Sequence, residues 1–364
     1  MFVDMAQVAP QLAPVSKQQP PSIQNSETSE RLPQVGEFIV GDKTKRKFRI
    51  VSVLGDGGYG TVYEATDEIR KVAIKTEKYT KSMLHIEINV LRSANTEHCK
   101  HILELIDHGV SRPNFAYVIM PLLGKDIHRL RNEQKERKFS LGTAIRVGIQ
   151  GLKSIQELHE KCGFLSRDVK PGNFACGHPN SIECRTIFLI DFGLARKYID
   201  KNKNVLPSRK EVGWRGTTRY GSLQAHQKQD LGRKDDLESW FYMLVEITKG
   251  HLPWRAMTDR DQVYAAKLSS RTLNRQNFLS ECPDEFCRIL SHIDMIKFAE
   301  APAYGEILAF LNSIMARLHV MPDTPFDWED DSSNMSSTKN SSYSDNEQRC
   351  NRNDRLSREN ALHY

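Results

Sequence analysis

The chain has 364 residues, of which 39% are hydrophobic and 27% are charged. These proportions are those of a soluble globular protein that can form a large core and more than one lobe. No apolar run approaches the length of a membrane span, and the N-terminus lacks the charged-then-apolar pattern of a secretory signal. We therefore expect an intracellular protein, located in the cytoplasm and, as a second location, in the nucleus.

The seven cysteines contain no C-x-x-C pair. Their spacing favours reduced thiols over a zinc site or a disulfide framework. The net charge of +6 is too small to indicate nucleic-acid binding by itself. We expect a monomer that binds neither nucleic acid nor membrane.

Two terminal segments differ from the rest of the chain in composition. Residues 1–46 are rich in Pro, Gln and Ser, and residues 329–364 are rich in Ser, Asn and Asp. Segments of this kind cannot bury enough apolar surface to offset the entropy lost on ordering, so both are predicted to be disordered tails. The folded body is then predicted to be residues 47–328.

The body changes character near residue 121. Before residue 121, short β-like segments predict five strands, at Phe48–Leu54, Thr61–Thr66, Val72–Thr76, Ile102–His108 and Ala116–Met120. One helical stretch interrupts them, around Ser82–Ser93. After residue 121 the pattern is helical. Apolar residues recur on one helical face between 145 and 158, and "DLESWFYMLVEITKG" is apolar nearly all round and ends at Gly250, which predicts a buried helix.

The predicted fold class is therefore α+β, with two lobes. A small β-rich lobe at about 47–120 precedes a larger, mainly helical lobe at about 121–328. A cleft between two such lobes is a common place for ligands to bind.

The first chemical motif is "LGDGGYGTV", which places G-x-G-x-x-G at Gly55, Gly57 and Gly60. In dinucleotide-binding folds such glycines lead from a strand into a helix. Here an alternating, β-branched segment follows, so we expect a hairpin whose backbone N–H groups cover nucleotide phosphates. A plain glycine-rich hairpin remains the alternative for this motif alone. The residues predicted to contact nucleotide here are Leu54, Gly55, Asp56, Gly57, Gly58, Tyr59, Gly60, Thr61 and Val62.

The second motif is "VAIK", which ends at Lys75 in an apolar β segment. Burying an unpaired ammonium is costly, so Lys75 requires an anion, either a phosphate or a carboxylate. Glu87 in the following helix is the candidate carboxylate. The alternatives are a lysine that reaches water and an ordinary surface acid. Downstream of the glycine loop, the pair favours the functional interpretation.

Two further motifs, "FLSRDVKPGNF" and "IDFGLAR", carry the remaining polar groups. Asp168 is suited to accept or orient the proton of an attacking hydroxyl, and Lys170 to neutralise charge on a transferred phosphoryl group. Asn173 is suited to hold a metal ion. Asp191 follows three apolar residues, so it is predicted at a strand end, where it can bind Mg²⁺.

These four motifs, in this order, resemble those of eukaryotic protein kinases over residues 48 to about 328. The resemblance implies that ATP and Mg²⁺ or Mn²⁺ bind in the cleft. It also implies adenine recognition by the carbonyl of Pro121 after the gatekeeper Met120, and by the N–H of Leu123. The residues implied to enclose the adenine ring are Val62, Ala73 and Ala175. Lys170 and Thr217 resemble the serine/threonine class, which transfers the γ-phosphoryl group of ATP to protein hydroxyls.

The segment after "IDFGLAR" lacks Ala-Pro-Glu and instead reads "RGTTRYG" followed by "DDLES". It resembles the casein kinase 1 group, and the strings "FYMLVE", "LPWR" and "FDWE" are most similar to the tau-tubulin kinase branch. The resemblance to this group implies a substrate anion site at Arg219. We include Arg215 in the same predicted site. Acidic or phosphorylated Ser/Thr substrates are expected, because basic residues crowd this segment. A solvated basic loop is the alternative. The other basic residues are Arg209, Lys210, Lys228, Arg233 and Lys234.

Ser166 is the main departure from the family, which has a His there that packs on the residue equivalent to Phe192. Gly221 and Gln224 also depart from the group's pattern. The smaller Ser166 is expected to make the active arrangement less stable without removing its chemistry. A pseudokinase acting as a nucleotide-binding or non-catalytic scaffold is the alternative function. A nucleic-acid-binding protein is a third possibility, although no recognition module accompanies the charge.

Overall fold

The computed structural model describes residues 31–57, 60–214, 216–321 and 323–329. The fold begins with an antiparallel sheet of six strands in the order β1-β2-β3-β4-β6-β5. One helix, α1 (Leu84–Thr96), packs against this sheet. The strands are β1 (Phe38–Val40), β2 (Lys47–Asp56), β3 (Gly60–Thr66), β4 (Lys71–Lys78), β5 (Asp107–Ser111) and β6 (Phe115–Pro121).

One predicted strand, Ile102–His108, is largely wrong. The strand in this region is β5, which shares only Asp107 and His108 with the prediction. Ile102 instead forms a single bridge with Leu189 of the other lobe and is 4% exposed. The apolar pattern of this stretch therefore reflects burial between the lobes, which sequence periodicity does not distinguish from burial in a sheet.

The predicted disordered segment 1–46 extends too far. Residues 38–40 form β1 and pair with β2, and Ile39 is buried. Tyr63 donates a hydrogen bond to the carbonyl of Pro33 at 2.8 Å. The Asp107 carboxylate accepts from the N–H groups of Lys43 and Thr44 at 3.1 and 2.8 Å. These distant partners supply the burial that the local composition lacks.

Residues 1–30 lie outside the described part of the chain, as does the predicted C-terminal tail after residue 329. Glu329 itself forms an ion pair with Arg185 at 2.7 Å.

The larger lobe is mainly helical, so the predicted two-lobed α+β fold is confirmed. Its short strands form a sheet in the order β10-β9-β7 and a separate β8–β11 pair. They are β7 (Leu123–Asp126), β8 (Phe164–Leu165), β9 (Phe174–Gly177), β10 (Ile187–Leu189) and β11 (Arg196–Lys197). The helices are α2 (Ile127–Glu133), α3 (Leu141–Gln156), α4 (Leu223–His226), α5 (Arg233–Lys249), α6 (Arg260–Ser269), α7 (Arg275–Phe278), α8 (Glu285–Met295) and α9 (Tyr304–Arg317).

The core of the larger lobe is built around α5, as predicted. Trp240 on this helix is fully buried and donates a hydrogen bond to the carbonyl of Gly148 on α3 at 3.0 Å. Gly250 ends α5 with φ of +90°, a left-handed conformation that favours glycine. Among the described helices, none is both long and apolar enough to cross a membrane.

Candidate active site

The glycine motif turns a hairpin between β2 and β3, as predicted. Asp56 pairs with Thr61 across the two strands. The backbone N–H of Gly57 donates to the carbonyl of Gly60 at 3.0 Å. A Cβ at Gly60 would lie 1.8 Å from the backbone oxygen of Thr76, so this close approach requires glycine. Gly58 and Tyr59 lie outside the described residues.

Three elements meet at Lys75, which lies on β4. Its ammonium donates to Glu87 on α1 at 2.7 Å and to Asp191, just after β10, at 2.9 Å. Glu87 is 2% exposed, whereas the Asp191 side chain is 49% exposed towards the cleft. The predicted pairing of Lys75 with Glu87 is therefore present, and Asp191 brings the second lobe into the same ion cluster.

The charges of this cluster shift each other's pKa. Burial alone would lower the pKa of Lys75, but the attraction of Glu87 and Asp191 outweighs it and raises this pKa above the ordinary lysine value. Burial also acts to raise the pKa of Asp191, but the neighbouring ammonium outweighs it, so the net shift is downward. Burial raises the pKa of Glu87, while Lys75 acts in the opposite direction. We conclude that Lys75 is a cation throughout the physiological pH range.

The two lobes enclose a cleft of about 440 Å³. Its walls combine predicted nucleotide contacts with predicted metal ligands. These residues are Leu54, Gly55, Val62, Ala73, Lys75, Glu87, Met120, Leu123, Asn173, Ala175 and Asp191. Four other predicted contacts, Asp56, Gly57, Gly60 and Thr61, belong to the hairpin but not to this lining. Sequence reasoning missed several polar lining residues, namely Lys125, Asp126 and Arg129.

Asp168 lies between β8 and β9 and is 8% exposed. Lys170 donates to its carboxylate at 2.6 Å, and Thr217 donates to the other carboxylate oxygen at 2.9 Å. The amide nitrogen of Asn173 donates to the Asp168 carbonyl at 2.9 Å. The structure therefore brings the three predicted catalytic residues together and adds Thr217 from a distant segment.

The loop that carries Asp168 is held from behind by Asp236, at the start of α5. The Asp236 carboxylate accepts from the backbone N–H groups of Ser166 and Arg167 at 2.7 and 2.8 Å. It also bonds His159 at 2.8 Å and is 2% exposed. Sequence reasoning assigned no role to Asp236. The sequence does show an acidic pair, Asp235 and Asp236, at the start of an apolar helix. The loop residues that Asp236 binds are about seventy residues away in the sequence, so the pair alone does not indicate this contact.

The donor set of the cleft fits a divalent metal ion. The side-chain nitrogen of Asn173 donates to the backbone carbonyl of Asp168. The side-chain oxygen of Asn173 therefore points away from that carbonyl. Asp191 adds a carboxylate, and it adopts a left-handed φ of +62°. Within the described residues no group of three or more His, Cys, Asp or Glu side chains could hold a metal. Mg²⁺ typically takes one or two protein oxygens and completes its shell with phosphate and water, which matches this pair.

Comparison with known proteins agrees with this geometry. The family model described as "Protein kinase domain" matches residues 48–316. The chain belongs to the protein kinase family. This match covers the six-stranded sheet apart from β1, the cleft, and the helical lobe as far as α9.

Individual relatives are also kinases by name. The chain is 36% identical over 296 residues to a probable serine/threonine-protein kinase of Dictyostelium discoideum, which covers 80% of this chain and 58% of the relative. It is 32% identical to the serine/threonine-protein kinase spe-6 of Caenorhabditis elegans, over 83% of this chain and 80% of the relative. It is 29% identical to casein kinase I homolog 1 of Saccharomyces cerevisiae, over 77% and 53%. The chain thus spans little more than half the length of two of these three relatives.

Ser166 of the kinase domain is almost fully buried, with 2% exposure. Its backbone N–H is bonded to Asp236, but its hydroxyl has no hydrogen-bond partner among the described residues. Phe192, on which the family His would pack, is 1% exposed. The substitution therefore leaves the backbone support of the loop in place and alters only the side chain.

The predicted substrate anion site is only partly described, because Arg215 lies outside the described residues. Arg219 is partly exposed, and its guanidinium lies 3.5 Å from the Glu246 carboxylate. Arg209 does not contribute a free charge, because it is bonded to Asp230 at 2.8 Å. Arg233 also has a structural role: it stacks on Tyr198 and donates to a backbone carbonyl. The basic cluster predicted from the sequence is therefore smaller than expected.

Lys267 on α6 supports the same segment and was missed by sequence reasoning. The buried side-chain nitrogen of Lys267 donates to the carbonyls of Thr218 and Gly221 at 2.9 and 2.5 Å, and it lies 3.1 Å from His226. Burial lowers the pKa of Lys267 to about 7 and that of His226 to about 4. A lysine on an ordinary amphipathic helix gives no sequence signal of such a contact.

We predict that Ser166→Ala leaves the free energy of unfolding unchanged or raises it by up to about 1 kcal/mol, because it removes a buried hydroxyl that lacks a partner. Ser222→Ala is the matched control. Ser222 is equally buried, but its hydroxyl caps α4, so its loss should cost about 1 kcal/mol. Urea unfolding of both variants measures the difference. An equal loss in the two variants would show that the Ser166 hydroxyl has a stabilising role.

Proposed function

We propose that this protein is a serine/threonine kinase that converts ATP and a protein hydroxyl into ADP and a phosphoprotein. The observation that carries the proposal is the position of Asp168. Its carboxylate accepts hydrogen bonds from both Lys170 and Thr217, beside the cleft that Lys75 and Asp191 line. Such an arrangement serves phosphoryl transfer, in which catalysis consists mainly of positioning and charge stabilisation.

Each residue of the site then has a distinct role. Lys75 binds the phosphates of the nucleotide, and the glycine hairpin covers them with backbone N–H groups. Asp168 accepts the proton of the substrate hydroxyl, while Lys170 offsets the charge on the transferred group. Asn173 and Asp191 would hold Mg²⁺ or Mn²⁺, which neutralises phosphate charge when bound. Thr217 fixes the orientation of the Asp168 carboxylate.

The adenine ring fits between the two lobes. Val62 and Ala73 contribute the upper apolar wall of the cleft, and Ala175 contributes the lower wall. Met120 pairs with Ala73 at the end of β6, so it limits the depth of the cleft. The carbonyl of Pro121 and the N–H of Leu123 would then bind the adenine edge. Proline has no N–H, but this role needs only its carbonyl.

We further propose membership of the casein kinase 1 group and, within it, the tau-tubulin kinase branch. The "RGTTRYG" and "DDLES" strings support this assignment, as does the similarity to the yeast casein kinase I homolog.

An acidic or phosphorylated substrate would be selected at Arg219. The Glu246 carboxylate already forms an ion pair with buried Arg131 at 2.9 Å and accepts a hydrogen bond from the Tyr220 hydroxyl at 2.5 Å. The guanidinium groups of Arg131 and Arg219 therefore share the single carboxylate of Glu246, so these three groups together carry one net positive charge. The two hydrogen bonds of Arg219 are both 3.5 Å long, at the outer limit of the interaction. A substrate phosphate or carboxylate can displace such weak contacts.

The catalytic claim is tested by incubating the purified full chain with labelled Mg-ATP, casein and a peptide panel. Asp168→Asn is the matched variant, because it keeps the side-chain shape but removes the basic carboxylate. We expect phosphate incorporation to fall by about 10² or more, the usual contribution of a positioned base. If wild type and variant gave the same background signal, the protein would be a pseudokinase scaffold instead.

The substrate preference is tested in the same assay with Arg219→Glu. We expect kcat/KM to fall by roughly tenfold or more for acidic and phosphorylated peptides, and by less than about twofold for neutral ones. Arg288→Glu is the control, since it makes the same charge change at an exposed position on α8. Equal losses on acidic and neutral peptides would contradict an anion site at Arg219.

A further inference from the structure

Two thiols from distant parts of the chain are in contact where the lobes meet. The sulfur atoms of Cys99 and Cys162 are 3.7 Å apart. Cys99 follows the end of α1, and Cys162 ends the helical segment Glu157–Cys162 that continues α3. The two residues are 63 positions apart in the sequence, so their contact is a product of the tertiary fold.

The backbone around the thiols is held in place by other contacts. The Glu157 carboxylate accepts from the N–H groups of Lys100 and His101 at 3.0 and 2.9 Å. The backbone N–H of Cys99 donates to the carbonyl of Ala94 at 3.0 Å. Neither cysteine is therefore on a loose loop, and the two sulfurs are kept facing each other.

The contact has the properties of a reactive pair. The contact between the thiols lowers the pKa of Cys162, with Ser93 acting in the same direction and burial opposing both, and it raises the pKa of Cys99. Cys162 is 5% exposed, but Cys99 is half-buried and lines an open cavity of about 690 Å³. A small oxidant can therefore reach the pair from the Cys99 side. A disulfide has its sulfurs about 2 Å apart, so the sulfurs need to approach by about 1.7 Å.

We propose that Cys99 and Cys162 form a redox modification site, at which a hydroperoxide converts the two thiols into an intramolecular disulfide. In the first step one sulfur, as the thiolate, attacks the peroxide O–O bond. It becomes a sulfenic acid, and the leaving alkoxide takes up a proton to form an alcohol, or, when the oxidant is hydrogen peroxide, the leaving hydroxide forms water. The second thiol then attacks the sulfenic sulfur, the S–S bond forms as the S–O bond breaks, and the displaced hydroxide takes up the proton of that thiol and leaves as water. Two thiols are oxidised, and one hydroperoxide is reduced.

The disulfide would connect two functional elements. α1 carries Glu87, which is bonded to Lys75, and Cys162 lies shortly before the loop that carries Asp168. The thiols touch in the same arrangement in which Glu87 and Lys75 are paired. The bond would therefore retain this arrangement, and the oxidised protein should keep its nucleotide cleft.

The test exposes the full-length protein to hydrogen peroxide, blocks the remaining thiols with N-ethylmaleimide and maps unreduced peptides by mass spectrometry. We expect a Cys99–Cys162 linked peptide and a rise in Tm of roughly 5 °C or more, which dithiothreitol reverses. Both effects should be absent in Cys99→Ser and in Cys162→Ser. Both should persist in Cys282→Ser, the control at another partly buried thiol.

Absence of the linked peptide in the wild-type protein would overturn the proposal, as would preferential linkage between other cysteines. The peptide map needs no variant, so a folding defect in a serine variant cannot obscure the result. It also needs no kinase assay, so its outcome is independent of the proposed phosphoryl transfer.

Discussion

The ammonium of Lys75, placed between Glu87 and Asp191, is the interaction on which the geometry of the cleft depends. It joins the sheet, α1 and the end of β10 in one cluster, at 2.7 and 2.9 Å. A charge removed from water is stable only when it is paired, so loss of one partner leaves the others with an uncompensated cost. Because the cluster joins the two lobes, it holds them in the relative position in which Lys75, Glu87 and Asp191 all line the cleft.

A second buried charge gives the catalytic loop its shape. Asp236 supports this loop through the backbone of Ser166 and Arg167, so the support does not depend on which side chain is present at 166. This arrangement explains how a family His can be absent while Asp168 keeps its hydrogen bonds. Lys267 acts in a comparable way on the segment that carries Thr217, through backbone carbonyls. In both cases a buried polar side chain on a helix positions a neighbouring loop through the backbone of that loop.

Residues that are chemically unusual for their local pattern could be predicted from the sequence. Lys75 stands in an apolar strand, Asp191 follows a buried strand, and the glycines precede a β-branched segment. Asp236, Lys267 and the Cys99–Cys162 contact could not be predicted, because each is defined by a partner far away in the chain. The same limit explains the two errors in the fold: residues 33–44 are held by Tyr63 and Asp107, far along the chain, and the stretch around Ile102 is buried against the other lobe.

Steady-state kinetics of Glu87→Gln tests the central role of the Lys75 cluster most directly. Glu77→Gln is the matched control, because Glu77 is equally buried on β4 but its carboxylate accepts from the backbone N–H of Met83 rather than from Lys75. We expect kcat/KM for phosphoryl transfer to fall by about tenfold or more in Glu87→Gln, and by less than about twofold in Glu77→Gln. Wild-type kinetics in a folded Glu87→Gln variant would contradict the dependence of the cleft on this ion cluster.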